Sequence, residues 1–214
     1  MKQSFLKKFK IIFWDFDGVI KDSTSIKGSI FCQLFNPFGK SLNERIRRHH
    51  DCNGGMSRYE KIPLYLKWAG VQVTENAISE YCRQFGILAK KAVIDAAWVP
   101  GAFEYLYSNP NDQRFFLVTA TPQGEIESIL ESLNIKKCFS AVHGSPLAKS
   151  AAIESTLSTI DDKNDQVLLI GDSLVDLDAA RKNNISFLLR RHSDNYHIFK
   201  EYSGPYFDDF VVFE

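Results

Sequence analysis

Apolar residues fall along this chain in short blocks, and the rhythm of those blocks changes near residue 100. Beyond that point, brief continuous apolar runs alternate with stretches whose apolar positions recur at helical spacing. Continuous runs suit strands covered on both faces, and the helical spacing suits amphipathic helices. The pattern predicts a helix over 101–108, a turn at Asn109-Pro110-Asn111-Asp112 and a strand over 115–119. A helix over 123–133, a short strand over 139–142 and a helix over 148–159 follow. A strand over 166–171, a helix over 174–183 and a strand over 185–190 come next, with a tail strand at 210–213 adding to an edge. Such alternation predicts an α/β fold built on a doubly wound, parallel, Rossmann-like sheet. Residues 22–95 break the alternation, because they read as amphipathic helices without strand signals. They sit just behind a first apolar run, Ile11-Ile12-Phe13-Trp14. The expected organisation is therefore an α/β core from 1–21 and 96–214, and a helical subdomain from 22–95. The joins fall near Lys21-Asp22-Ser23 and Asp95-Ala96-Ala97-Trp98-Val99.

The chemistry gathers where the apolar runs end. The first run closes on Asp15-Phe16-Asp17-Gly18. Period-2 alternation points Asp15 and Asp17 the same way, and Gly18 lets the backbone turn closely around whatever they hold. A buried strand that ends in two unpaired acids would be costly, which argues for a cation or a phosphoryl group there. The run Val167-Leu168-Leu169-Ile170 closes on Gly171-Asp172, with Asp176 four residues on, in the first turn of the next helix. Open parallel sheets bind ligands at the carboxyl ends of their strands, so these acids can converge on one crevice. Magnesium, which takes oxygen ligands and keeps some of its water, would be served by a few carboxylates and a substrate phosphate. The run Arg114–Val118 leads into Thr119, whose hydroxyl can donate to a phosphate oxygen beside the amides of Ala120 or Thr121. Lys149 stands near the start of a helix, against the helix dipole. Taken singly, the threonine also reads as a turn or cap residue, and the lysine as a solvated one.

The ordered set Asp15-x-Asp17-Gly18-Val19, Thr119, Lys149 and Gly171-Asp172-x-x-x-Asp176 resembles the haloacid dehalogenase superfamily. Within it, the set is similar to the branch that holds beta-phosphoglucomutase and phosphoglycolate phosphatase. The resemblance spans about 8–20 and 98–192, and it implies that 22–95 is a helical cap. It also implies a role for each residue. Asp15 is the nucleophile, and Asp17 the general acid toward the leaving oxygen and then the base on water. Thr119 and Lys149 hold phosphoryl oxygens, with Gly18 and Ala120 beside them. Magnesium is held by Asp15, the Asp17 main-chain carbonyl and Asp172, with Asp176 in support. In the cap, Ser57 can start the helix that Arg58 begins, and Arg58 resembles an arginine used for a substrate's far phosphate. His49, His50, Tyr59 and Lys61 are weaker candidates, and at most one of the two histidines faces the site. His143, flanking the Lys149 loop, reads as a surface or packing residue.

Composition narrows the partners. The 214 residues carry 26 Lys+Arg and 26 Asp+Glu, so zero net charge offers nothing to nucleic acid or an anionic membrane. No apolar run is long enough for a transmembrane helix, and Lys7, Lys8 and Lys10 interrupt any signal-peptide core. The four cysteines are widely spaced, which predicts reduced thiols, no zinc and a cytoplasmic monomer or weak dimer. The reading is a magnesium-dependent phosphatase for a small phosphorylated metabolite. A phosphomutase and a non-catalytic binding protein on the same fold are the alternatives.

Overall fold

The computed structural model describes residues 5–160 and 166–213. Its centre is a sheet of six strands, all parallel, in the order β3-β2-β1-β4-β5-β6. The strands are β1 (Ile11–Trp14), β2 (Arg114–Pro122), β3 (Ala141–Ser145), β4 (Val167–Gly171), β5 (Ser186–Arg190) and β6 (Tyr206–Phe207). Every residue of β1 and β4 is buried, as a strand with helices on both faces requires. Alternation sends Ile12 and Trp14 to one face and Ile11 and Phe13 to the other, where two separate apolar clusters meet them. The first cluster takes Ala102, Tyr105 and Leu106 from α5 (Ala102–Ser108), and Ile126, Ile129 and Leu130 from α6 (Gln123–Ser132). The second takes Ala152 and Ile153 from α7 (Lys149–Leu157), and Leu177, Ala179 and Ala180 from α8 (Leu174–Lys182). Each fully buried large apolar side chain contributes about 1.5–3 kcal/mol. The doubly wound, Rossmann-like sheet is thus observed.

Between β1 and α5 lie four helices: α1 (Thr24–Leu34), α2 (Lys40–Cys52), α3 (Arg58–Trp68) and α4 (Glu75–Asp95). They share a third cluster of their own, which includes Phe31, Phe35, Ile46, Tyr65, Leu66 and Phe85. Ser57 caps α3 by accepting the Tyr59 amide, and Thr74 caps α4 by accepting that of Ala77. The chain leaves the core at Lys21 and returns at Trp98, and these two residues pair as an isolated antiparallel bridge. No helix among the described residues is long and apolar enough to cross a membrane.

Two sequence expectations need correction. Phe210–Phe213 is a 3-10 turn, and the edge strand is Tyr206–Phe207. The rings of Phe207, Phe210 and Phe213 pack on one another, and Phe210 stacks on Trp14 at 5.0 Å. The apolar run serves to close the end of the core, and four apolar residues read equally as a strand or a buried turn. The short strand expected at 139–142 runs over Ala141–Ser145, while Phe139 plugs the first cluster.

Candidate active site

The strand order reverses direction at β1, between β2 and β4, and this is where a crevice opens at the carboxyl ends of a doubly wound sheet. Asp15 and Asp172 directly follow β1 and β4, and Thr119 lies within β2, just past the Val118–His143 pair after which its register with β3 shifts. The Asp15 amide still donates to the carbonyl of Ile170 at 2.9 Å, so the ladder between β1 and β4 fixes its position. One of its carboxylate oxygens accepts the Phe16 amide at 2.7 Å, and the other meets Lys149 Nζ at 2.8 Å. Lys149 is the first residue of α7, and its ammonium also reaches Asp176 Oδ1 at 2.5 Å. That double pairing is why a lysine stands at a helix start. Burial works to discharge Lys149, but Asp15 and Asp176 overrule it and hold its pKa above the ordinary value. Burial pushes the Asp15 carboxyl well up, with Lys149 opposing and Asp176 and Asp172 adding to the rise.

Asp172 is raised by burial against the pull of His192, whose Nε2 lies 3.0 Å from Asp172 Oδ2. Asn195 donates to the Asp172 main-chain carbonyl at 2.8 Å. Asp176 is fully buried and belongs to a capping box at the start of α8: the Ser173 amide and hydroxyl both donate to its Oδ2. Asp15, Asp172 and Asp176 each bring one carboxylate oxygen within 4.8 Å of the others. Gly18 approaches this group at φ +76°, and a Cβ there would lie 2.1 Å from Asp172 Oδ2. Any side chain would displace that carboxylate.

Asp17 is held apart from the trio. Its carboxylate accepts the Ser23 hydroxyl at 2.6 Å, the Thr121 hydroxyl at 3.3 Å, and Lys27 Nζ in a short ion pair. Burial would raise its pKa, but Lys27, Ser23 and Thr121 outweigh that and hold it below the usual carboxylate range. Two acids two positions apart are therefore pushed in opposite directions. Thr119 is buried, and with Ala120 and Thr121 it lines the crevice where β2 shifts register against β3.

A family model described as Haloacid dehalogenase-like hydrolase matches residues 11–189. The chain belongs to that family. No curated protein sequence matches this hydrolase significantly. Among similar solved structures is a predicted phosphoglycolate phosphatase from Haemophilus somnus 129PT, at 20% identity and TM-score 0.74, covering 95% of this chain and 96% of that one. CbbY from Rhodobacter sphaeroides, solved with phosphate, has 17% identity and TM-score 0.74, with 95% of each chain covered. A candidate beta-phosphoglucomutase from Thermotoga maritima has 16% identity and TM-score 0.69, with coverage of 96% and 97%. At these identities the likeness establishes the shared fold.

In this hydrolase the helical insert closes directly over the acids. Thr24, Lys27, Phe31, His50, Gly54, Gly55, Met56, Arg58, Lys61 and Phe85 line a cavity of about 40 Å³ with Asp15, Asp17, Thr119, Ala120, Lys149 and Asp172. Arg58 lies on that wall, yet its guanidinium is held in a fork by Glu125 of α6, at 2.8 and 2.5 Å. Gly86 of α4 leaves room for this pair, since a Cβ there would lie 2.9 Å from Arg58 Nη1. Ser57 shares a hydrogen bond with Ser145 at 3.2 Å and lines a neighbouring cleft. Of the two adjacent histidines, His50 faces the cavity, while His49 packs on Tyr65 and Trp68. His143 is half-buried on β3 and shares a hydrogen bond with Thr156.

Sequence reasoning missed Lys27 and His192. His192 follows β5 by two residues, so the same strand-end rule that found Asp172 could have found it. Lys27 carries a weaker signal: it stands one helical turn after Ser23, and both reach Asp17.

Proposed function

We propose that this hydrolase removes the phosphoryl group from a small phosphorylated metabolite, in a magnesium-dependent reaction through an aspartyl-phosphate on Asp15. The observation that carries the reading is the convergence of Asp15, Asp172 and Asp176 on one crevice, with Lys149 between Asp15 and Asp176 and Thr119 on the same wall. The donor set also fits a divalent cation. Asp15, Asp172 and Asp176 are buried around a single ammonium, and burial pushes the first two toward protonation, which a bound cation would oppose. Asp15 and Asp172, with the Asp17 main-chain carbonyl, would hold magnesium. Asp176, already engaged by Ser173 and Lys149, would support it. When bound, that ion supplies positive charge to the phosphoryl oxygens and to the Asp15 carboxylate.

The chain's own groups do the rest. Asp15 attacks phosphorus while Lys149 and the Thr119 hydroxyl hold phosphoryl oxygens. The leaving oxygen takes its proton by way of the Asp17 carboxylate, which receives one from the Lys27 ammonium in contact with it as it hands one on. Asp17, held as a carboxylate, then takes a proton from the water that cleaves the aspartyl-phosphate. That proton returns to Lys27 by the same route. Residues 22–95 act as a cap that excludes bulk water, and must open to admit substrate. The pairing of Arg58 with Glu125 favours hydrolysis over phosphoryl return, because the guanidinium expected to bind a far phosphate is already neutralised.

The test is an assay of the purified protein against phosphorylated sugars and acids, with magnesium, measuring phosphate and isomerised product. Phosphate release that needs magnesium and disappears in Asp15→Asn is expected. Isomerised product with little phosphate would give the site to a phosphomutase, and silence across the panel would point to a binding role.

A further inference from the structure

Four cations line the cavity: Lys27, Arg58 and Lys61 from the helical insert, and Lys149 from the core. Three have carboxylate partners. Lys27 is paired with Asp17, Arg58 with Glu125, and Lys149 with both Asp15 and Asp176. Lys61 of α3 is only 1% exposed, yet among the described residues no carboxylate lies within ion-pair distance of its ammonium. Its hydrogen-bond partner is His50, with Nδ1 3.0 Å from Lys61 Nζ. The other ring nitrogen of His50, Nε2, lies 3.0 Å from the Thr24 carbonyl oxygen. That carbonyl accepts only, so Nε2 carries the proton and Nδ1 accepts from Lys61. The ring is therefore a neutral acceptor. Burial, with Lys61 adding to it, drops the His50 pKa to about 3, in keeping with that tautomer.

An ammonium has three donors, and His50 takes one of them. Phe31 and Phe85 form the apolar wall nearby, with Lys61 Nζ 5.6 Å from the centre of the Phe31 ring. A lysine kept only for packing would be replaced at no loss by Met or Leu, since burying an unpaired charge is costly. Asp17, Asp51 and Glu60 favour its charge from beyond contact, but they do not offset its burial. Burial and the nearby Lys27 hold the Lys61 pKa down to about 7, so an arriving anion would restore a charge the site has half lost.

We infer that Lys61, oriented by His50, is a subsite for a second anionic group on the leaving portion of the substrate, a carboxylate or a further phosphate. This deepens the phosphatase reading and rests on it for the identity of the reacting end. The reacting phosphoryl group belongs to Asp15, Thr119 and Lys149, on the opposite wall. The cavity's small size suits a leaving group of a few atoms, so that one molecule can meet both walls.

The experiment compares three phosphomonoesters of similar size with differently charged tails: 2-phosphoglycolate (anionic), ethyl phosphate (neutral) and O-phosphoethanolamine (cationic). In the wild-type protein, kcat/KM should fall in that order, with the anionic ester ahead of the neutral one by about 10- to 100-fold, as a charged hydrogen bond implies. Lys61→Met should bring the ratio near one, and Lys61→Arg should restore part of it. No preference in the wild type, or an undiminished ratio in Lys61→Met, overturns the proposal. So does an equal fall for all three esters, which marks a merely structural role. The wild-type order stands as a test even if Lys61→Met does not fold. Calorimetric titration with the same three compounds separates this proposal from the phosphatase reading. With no phosphate released from any ester, a loss of 2-phosphoglycolate affinity of about tenfold or more in Lys61→Met upholds the subsite while hydrolysis fails. Unchanged affinity, or no binding by the wild type, overturns the subsite.

Discussion

Lys149→Met removes one positive charge from among three buried carboxylates and puts a side chain of similar length in its place. The lysine is 5% exposed, and Asp15 and Asp176, its partners at 2.8 and 2.5 Å, are 4% and 0% exposed. Solvent screening is therefore weak at this site. Removing one member of a buried ion pair costs about 3–5 kcal/mol. For a chain of this size, about 1 kcal/mol moves Tm by roughly 2–4 °C, so a fall of about 6–20 °C follows. The sign of the pH dependence is fixed by Asp15. Burial already raises its pKa, with Lys149 the largest opposing influence, so loss of the lysine raises it further. Between the ordinary carboxylate pKa and that raised value the folded state holds more protons than the unfolded one. Stability in this window falls as pH rises. The deficit of the variant should thus be smaller near pH 5 than near pH 8. Urea unfolding of both proteins at the two pH values, with EDTA present, measures it. Added magnesium should recover part of the loss at the higher pH, about 2.7 kcal/mol at a hundred times Kd. A deficit below about 1 kcal/mol near pH 8, or one equal at both pH values, would refute the argument that these carboxylates lean on a single ammonium.

Lys27→Met removes the chief influence holding Asp17 low against its burial, so the limb of the kcat/KM profile set by Asp17 should move to higher pH. A profile measured over about pH 4.5–8 that keeps its position would show that Lys27 does not set this ionisation. Gly18→Ala places a Cβ 2.1 Å from Asp172 Oδ2 at a φ of +76°. Strain of about 1–3 kcal/mol and a displaced ligand should follow, with magnesium affinity down by about 10- to 100-fold in calorimetry. Wild-type affinity in that variant would contradict the packing described.

The core was legible because a central parallel strand is buried on both faces and must be apolar throughout. Ile11–Trp14 and Val167–Ile170 therefore stand out, and the acids that follow them mark the crevice. The same logic found Thr119 and brought out the paradox of Lys149, which its two carboxylate partners resolve. The logic weakened wherever an apolar run was short and had no fixed neighbour. Phe210–Phe213 turns under Trp14 because three rings fill that end of the core, and pattern alone does not distinguish this from an edge strand. In the helical insert, spacing identified the helices but not their aim. Arg58 and Lys61 are three residues apart on one helix; a carboxylate from α6 takes the first, and among the described residues none pairs with the second. That difference is set by tertiary packing and leaves no trace in local sequence.

The placement of β1 has a consequence for how the molecule is made. It is made before every other strand of the sheet, yet it lies inside it, with β2 on one side and β4 on the other. Trp14 pairs with Leu117 and Ile170, residues made roughly 100 and 155 positions later. At about 5–20 residues per second, the strand waits roughly 5–20 s for its first partner and 8–31 s for its second. During that interval the helical insert can fold on its own cluster. The crevice comes into being only when β4 docks, so Asp15 meets Asp172 only after roughly 155 further residues have been made.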